Sequence, residues 1–298
     1  MRADISHPDA GGTIRPRPDF ERLKLLSGET RTTDRLIAHY QLERSLASQI
    51  LRANASERAV LYGQLYSHLF AELPDHPQNR KRAIAPEVRV SGQMGLIRPH
   101  VDKTMTFVEI GCGDAALSAT ISAFVKKSIG VDVTEVLVPN ERVNNFEFLK
   151  TDGVNLNLPD GSVDFVFSNQ LMEHLHPDDA VAQLREIRRV LKTGGKYLCI
   201  TPSRLTGPHD ISRYFDYTAT GFHLKEYDYR EMRIAFTRAG FCKFSAIFFA
   251  RSHQVRAPYA LARIIELCFG HLPPATRVAL GSKGLGLACF AMACMGTR

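Results

Sequence analysis

The chain has 298 residues, 44% of them hydrophobic, enough for one generous α/β domain with additions or for two small domains. Its formal net charge of +7 is uneven: residues 101–245 carry 17 basic and 19 acidic side chains, residues 246–298 six and one. A near-neutral centre argues against a nucleic-acid channel, and the basic C-terminal part suits contact with anionic lipid or a phosphorylated substrate. The six cysteines include no C-x-x-C pair and no zinc spacing, and read as thiols of a reducing compartment. With no apolar leader and no bilayer-length apolar run, a cytoplasmic protein is expected, with membrane-peripheral contact as an option.

Residues 1–30 are punctuated by proline and glycine and predict a disordered or loosely draped arm. Residues 31–100 predict a helical cap and linker. Apolar residues recur at helical spacing from Thr33 to Leu73, with a break near Asn54-Ala55-Ser56-Glu57, where Ser56 could cap the second helix. Tyr62, Tyr66 and Phe70 fall four apart, a packing stripe by default and a cover for a ligand site by the sharper reading. Arg80-Lys81-Arg82 reads as a solvated linker.

Residues 101–252 alternate between strand and helix. Strands are expected at 105–110, 128–132, 145–149, 163–168, 196–201 and 241–250, and helices at 115–126, 178–192 and 228–239. Such alternation predicts a Rossmann-like α/β fold with a mostly parallel sheet and helices on both faces. Residues 253–298 then supply amphipathic helices over 256–282. An apolar stretch, Leu285 to Met295, follows as a seventh strand.

The chemistry centres on Thr106-Phe107-Val108-Glu109-Ile110-Gly111-Cys112-Gly113-Asp114. A buried strand runs into a glycine turn that opens a helix, with Asp114 as its expected N-cap. Free N–H groups at a helix start attract polar or anionic groups. Asp132 lies 21 positions after Gly111, about where dinucleotide-binding folds place the acid that grips a ribose. Gly111 to Ala116 also satisfies the G-x-G-x-x-G/A dinucleotide pattern. Glu109, two residues before the first glycine, suits an ammonium group and sits badly with a pyrophosphate. That favours S-adenosylmethionine over NAD. Glu109, Asp132, Asp152 and Asn169 all fall at the carboxyl ends of expected strands, where ligands bind in such sheets.

Val108 to Asp114 resembles motif I of class I S-adenosylmethionine-dependent methyltransferases, of the type 11 kind. Phe148-Leu149-Lys150-Thr151-Asp152-Gly153 resembles their third motif. Leu158 to Asn169, Leu171-Met172-Glu173-His174-Leu175 and Leu184 to Lys196 resemble the segments that follow. The resemblance covers roughly residues 100 to 250. It implies a seven-stranded sheet whose last strand is inserted antiparallel. It also implies cofactor contacts at Glu109, Gly111, Cys112, Gly113, Asp132, Asp152, Gly153 and Asn169.

Thr201 to Glu226 is a long loop after the fifth strand, and in the resembling enzymes that loop helps form the acceptor pocket. Arg204, Arg213, Tyr214 and His223 are its substrate candidates. His174 and His209 are the candidates for a base toward an acceptor hydroxyl. Glu173-His174 resembles the pair that helps bind a divalent ion in ubiquinone-pathway O-methyltransferases. There a carboxylate stands three residues earlier; here that residue is Gln170, and no metal is expected. The resulting expectation is a methyltransferase acting on a small molecule, sugar or lipid-linked glycan, at oxygen. The alternatives are a non-catalytic scaffold of the same fold and an NAD-dependent oxidoreductase.

Overall fold

A computed structural model describes residues 14–81, 84–135, 144–250, 253–273, 276–277 and 291–298. Helix α1 (Phe20–Ser27) comes first and is followed by two long helices, α2 (Thr33–Arg52) and α3 (Ala55–Glu72). The break between them is capped by Asn54 rather than Ser56. Asn54 accepts from the Glu57 N–H, while the Glu57 carboxylate accepts from the Asn54 N–H. Ser56 already lies inside the first turn and only donates its hydroxyl to Asn54. The arm expected to be loose contains α1, because Phe20 and Leu23 share a face and bury against Leu36, Tyr40, Ile211 and Tyr214. Residues 1–13 lie outside the described residues.

Short α4 (Pro77–Lys81) and α5 (Pro86–Ile97) lead into strand β1 (Thr106–Ile110). Then come α6 (Ala116–Ser122), β2 (Lys127–Asp132), β3 (Phe146–Lys150), β4 (Val163–Asn169), α7 (Pro177–Val190) and β5 (Leu191–Pro202). The chain continues through α8 (Tyr229–Arg238), β6 (Lys243–Ala250), β7 (His253–Ala257), α9 (Tyr259–Gly270) and β8 (Ala291–Thr297).

The strands form one sheet in the order β3-β2-β1-β4-β5-β8-β6-β7. β1 to β5 are parallel, and β8 inserts antiparallel between β5 and β6. Eight strands stand where seven were expected. The extra one, β7, folds back on β6 as an edge hairpin, pairing Phe248 with Val255. Helical spacing predicts a helix from Arg256, but Pro258 sits at the N-cap of α9, so the residues before it stay extended. Helix α6 is shorter than the expected 115–126 because Ala115 is left-handed (φ 56°) and Phe124 turns back by an N–H bond to Ile121. Residues 285–290 of the expected last strand lie outside the described residues, as do residues 278–282 of the expected amphipathic helices.

Side chains alternate across the sheet as strand geometry requires. Val108 and Ile110 of β1 and Val166 of β4 join the core under α2, α3, α7 and α8. Phe107, Phe165 and Phe167 join the core under α5 and α6. Glu109 therefore points to the α6 side, and the carboxyl ends of β1, β2 and β4 face one cleft roofed by α3.

Candidate functional site

The turn after β1 is locked to the acid after β2. The Gly111 and Cys112 N–H groups donate to the Val131 carbonyl at 2.8 and 3.1 Å, and Gly113 N–H donates to Asp132 Oδ2 at 2.8 Å. Gly111 (φ +73°) and Gly113 (φ +55°) occupy left-handed backbone that side chains disfavour. A Cβ on Gly111 would also meet Leu171 Cδ1 at 3.2 Å. Asp132 Oδ1 takes the Val133 and Thr134 N–H groups at 2.7 and 3.3 Å. Burial pushes its carboxyl up, and the Gly113, Thr134 and Val133 N–H groups oppose that shift. Asp114 is one residue short of the cap position, which Ala115 takes. Its carboxylate accepts from Ala116 N–H at 3.2 Å and pairs with Arg89.

Two hollows meet at Gly111. One is lined by Arg89, Gln93, Glu109, Cys112, Asp114 and Asn169. The other is lined by Tyr62, Tyr66, Phe70, Gly113, Asp132, Gly153, Gln170, His174 and Gln183, among others. Glu109 is buried, accepts the Ser118 hydroxyl, and is pushed up to about 8 by burial, with Asp114 and Asp132 adding to the shift. A cationic group in this hollow would reverse that and leave the carboxylate ionised.

His174 forms part of the wall opposite the glycine turn. Its Nδ1 lies 2.9 Å from the Phe222 carbonyl. A carbonyl only accepts, so Nδ1 carries the proton and Nε2 a lone pair. Burial and the neighbouring His223 charge hold its pKa down to about 3. His223 stands edge-on to it, ring centroids 4.8 Å apart. Burial alone would lower His223, but a 2.9 Å contact with Glu226 and the charges of Asp210 and Glu173 hold it up at about 9. The Phe222 peptide is fixed on both sides, since its N–H donates to Glu43 of α2 at 2.9 Å.

The remaining candidates divide. Asp152 lies beside the cleft, in a separate hollow with Asn155, Glu186 and Arg189, and its carboxylate caps the Val154 and Asn155 N–H groups at 2.9 and 2.7 Å. His209 is exposed and shares the Glu226 carboxylate with His223. Its backbone N–H donates to Glu226 at 2.7 Å, and its ring bonds to Thr206 and Ser203. Arg204 faces outward and pairs with Asp228 at 2.6 Å. Tyr214 is buried against Phe20, its hydroxyl 2.7 Å from that of Ser27, and Arg213 lies over the Tyr214 ring. None of the four substrate candidates lines the cleft; His223 comes nearest, buried behind His174.

Tyr66 and Phe70 do line the cleft, while Tyr62 also donates its hydroxyl to Asp179 at 2.8 Å. Gln183 had no signal in the sequence. Its Nε2 donates to the Gly153 carbonyl at 2.7 Å, and its Oε1 is buried without a partner.

A family profile described as "Methyltransferase domain" matches residues 108–199. A probable S-adenosylmethionine-dependent methyltransferase of Mycobacterium tuberculosis is 32% identical over 136 residues, 45% of this chain and 47% of that protein. The chain thus spans about half the length of that relative. The human eEF1A lysine and N-terminal methyltransferase is 26% identical over 36% of this chain and 17% of its own. Among solved structures, a complex of the Haloferax volcanii Trm112 methyltransferase activator with a putative methyltransferase aligns with TM-score 0.50 at 22% identity, covering 71% of this chain and 91% of that one; this likeness is one of fold. The motif series, the inserted antiparallel strand and the profile match over residues 108–199 agree, and all three make that segment similar to the methyltransferase domain of S-adenosylmethionine-dependent enzymes.

Proposed function

We propose that the protein binds S-adenosylmethionine across Gly111 and transfers its methyl group to the oxygen of a small-molecule, sugar or lipid-linked glycan acceptor. The observation that carries this reading is the pairing of Glu109 and Asp132 on either side of one glycine turn. One is a buried carboxyl beside a hollow suited to an ammonium group; the other is an acid already bonded to the turn on which a ribose would rest. A pyrophosphate would be repelled by Glu109, which disfavours NAD.

Transfer moves the methyl carbon from sulfur to the acceptor oxygen, and the hydroxyl proton must leave. The enzyme's part is alignment and exclusion of water. His174 Nε2 can accept the acceptor's O–H hydrogen bond and hold it in line. With its pKa held near 3, it orients the hydroxyl better than it strips the proton. The lipid-linked option draws support from α9, whose Leu261, Ile264 and Leu267 form an exposed apolar face in the basic C-terminal part.

Calorimetric titration with S-adenosylmethionine and S-adenosylhomocysteine tests the cofactor. Both should bind, and Asp132→Ala should weaken them by more than about tenfold, or ~1.4 kcal/mol. No binding by the intact protein sinks the reading. Turnover across a panel of glycans and phenols separates an enzyme from a scaffold of the same fold.

A further inference from the structure

Outside the cofactor hollows, a group of donor atoms converges behind His174. One donor atom each from Glu173, His174 and His223 lies within 4.8 Å of the others. In each residue the second polar atom is already anchored. His174 Nδ1 donates to the Phe222 carbonyl at 2.9 Å, His223 Nδ1 meets Glu226 Oε1 at 2.9 Å, and Glu173 Oε2 accepts the Thr201 hydroxyl at 2.9 Å. The atoms left to serve an ion are then His174 Nε2, His223 Nε2 and Glu173 Oε1, and His223, charged beside Glu226, must give up its Nε2 proton to the incoming ion. Glu173 is fully buried and its Oε1 has no hydrogen-bond partner. Leaving a buried carboxylate oxygen unpartnered is costly unless something fills the gap. Anchored second atoms are the outer-shell arrangement that orients metal-ligating histidines and carboxylates.

A second cluster makes a useful contrast. His39, Glu43 and His76 also lie within ligand distance of one another. There His39 spends one nitrogen on Arg31 and the other on Glu43, and Glu43 spends its second oxygen on Phe222 N–H. No converging donors are left over, and that cluster is a strut between α2 and the loop.

We infer that Glu173, His174 and His223 form a binding site for a divalent first-row transition ion, of the Zn²⁺ or Co²⁺ type, buried behind the cleft and bordering it through His174. Two imidazoles and one carboxylate select such ions over Mg²⁺, which prefers all-oxygen sites with several waters. Local spacing put Gln170 where an oxygen donor would be needed; the third donor comes instead from the acceptor loop, 49 residues after His174. The donor set stands independently of the activity. Its use, lowering the pKa of an acceptor hydroxyl, rests on the methyl-transfer reading, and there a bound ion would replace His174 Nε2 as the group that meets that hydroxyl.

The test titrates tag-free, chelator-treated protein with Co²⁺ and follows the visible absorption of the bound ion. One Co²⁺ should bind, and Zn²⁺ should displace it. His223→Gln and Glu173→Gln should each weaken binding more than about 100-fold, and Glu226→Gln, which only removes the support of His223, about tenfold. Far-UV circular dichroism and S-adenosylhomocysteine affinity of His223→Gln report whether its fold is intact. Wild-type binding weaker than about 1 mM, or binding that survives both ligand variants, overturns the site. Loss of S-adenosylhomocysteine binding with Co²⁺ binding intact would sink the methyl-transfer reading and leave the metal site standing.

Discussion

At the scale of single residues, Glu109 carries the sharpest prediction. Its carboxyl is held up at about 8 by burial, with Ser118 opposing and Asp114 and Asp132 reinforcing, so in the free protein it is mostly protonated at pH 7. A raised acid pKa stabilises the folded protein least at high pH, where the buried group must ionise; a cationic ligand removes that cost. The ammonium end of S-adenosylmethionine should therefore bind more tightly as pH rises from 6 to 8, by up to about tenfold per unit, and should release a proton. Calorimetry in two buffers of different ionisation enthalpy measures the release. Glu109→Gln should flatten the pH dependence; an unchanged slope would remove Glu109 from the site. This residue was legible in the sequence because strand, turn and acid are contiguous. Gln183 and the Glu173–His223 approach were not, since each depends on segments far apart in the chain that only the fold brings together. Arg204 and Tyr214 misled for the converse reason: a polar loop needs residues to tie it down, and those look the same on paper as residues that bind substrate.

At the scale of elements, the roof of the cleft depends on one buried contact between α3 and the start of α7. Arg58 Nε and an Nη donate to the two Asp179 oxygens, both at 2.6 Å, and Tyr62 adds a third bond at 2.8 Å. Both charged side chains are almost fully buried, at 6% and 7% exposure. Removing one partner strands the other, so Arg58→Ala should cost about 3–5 kcal/mol in urea unfolding. The surface pair Lys127–Glu147 is half exposed, and Lys127→Ala should leave the midpoint unmoved. An Arg58→Ala protein as stable as wild type would show that α3 is held by its apolar face alone. Element types were readable from periodicity: the two long cap helices, β1 to β6 and α7 follow apolar spacing closely. Boundaries were not, because α6 is stopped by the left-handed Ala115 and a turn at Phe124, and β7 is set by Pro258, which local pattern does not weigh against helix periodicity.

At the scale of the whole molecule, the sheet places the cleft at the carboxyl ends of β1, β2 and β4, while the hairpin β6–β7 and helix α9 sit at the opposite edge. Among the described residues, no helix is long and apolar enough to cross a membrane. α9 instead turns Ala262 and Glu266 inward and leaves Leu261, Ile264 and Leu267 about half exposed. Arg256 at the edge strand and Arg230 and Arg233 of α8 are exposed nearby. An apolar stripe flanked by arginines, in a segment with six basic residues and one acidic, matches the interfacial zone of an anionic bilayer, where acyl chains take the stripe and headgroups the charges. The protein should then sediment with vesicles containing phosphatidylglycerol and not with pure phosphatidylcholine. Replacing Leu261, Ile264 and Leu267 together by serine should weaken that binding more than about tenfold, since each buried side chain contributes roughly 1.5–3 kcal/mol at full burial. Raising salt should weaken it further by screening the arginines. Because the three residues are exposed, the melting temperature of the triple variant should hold. Equal sedimentation of variant and wild type, or none by the wild type, would return α9 to a role in packing alone.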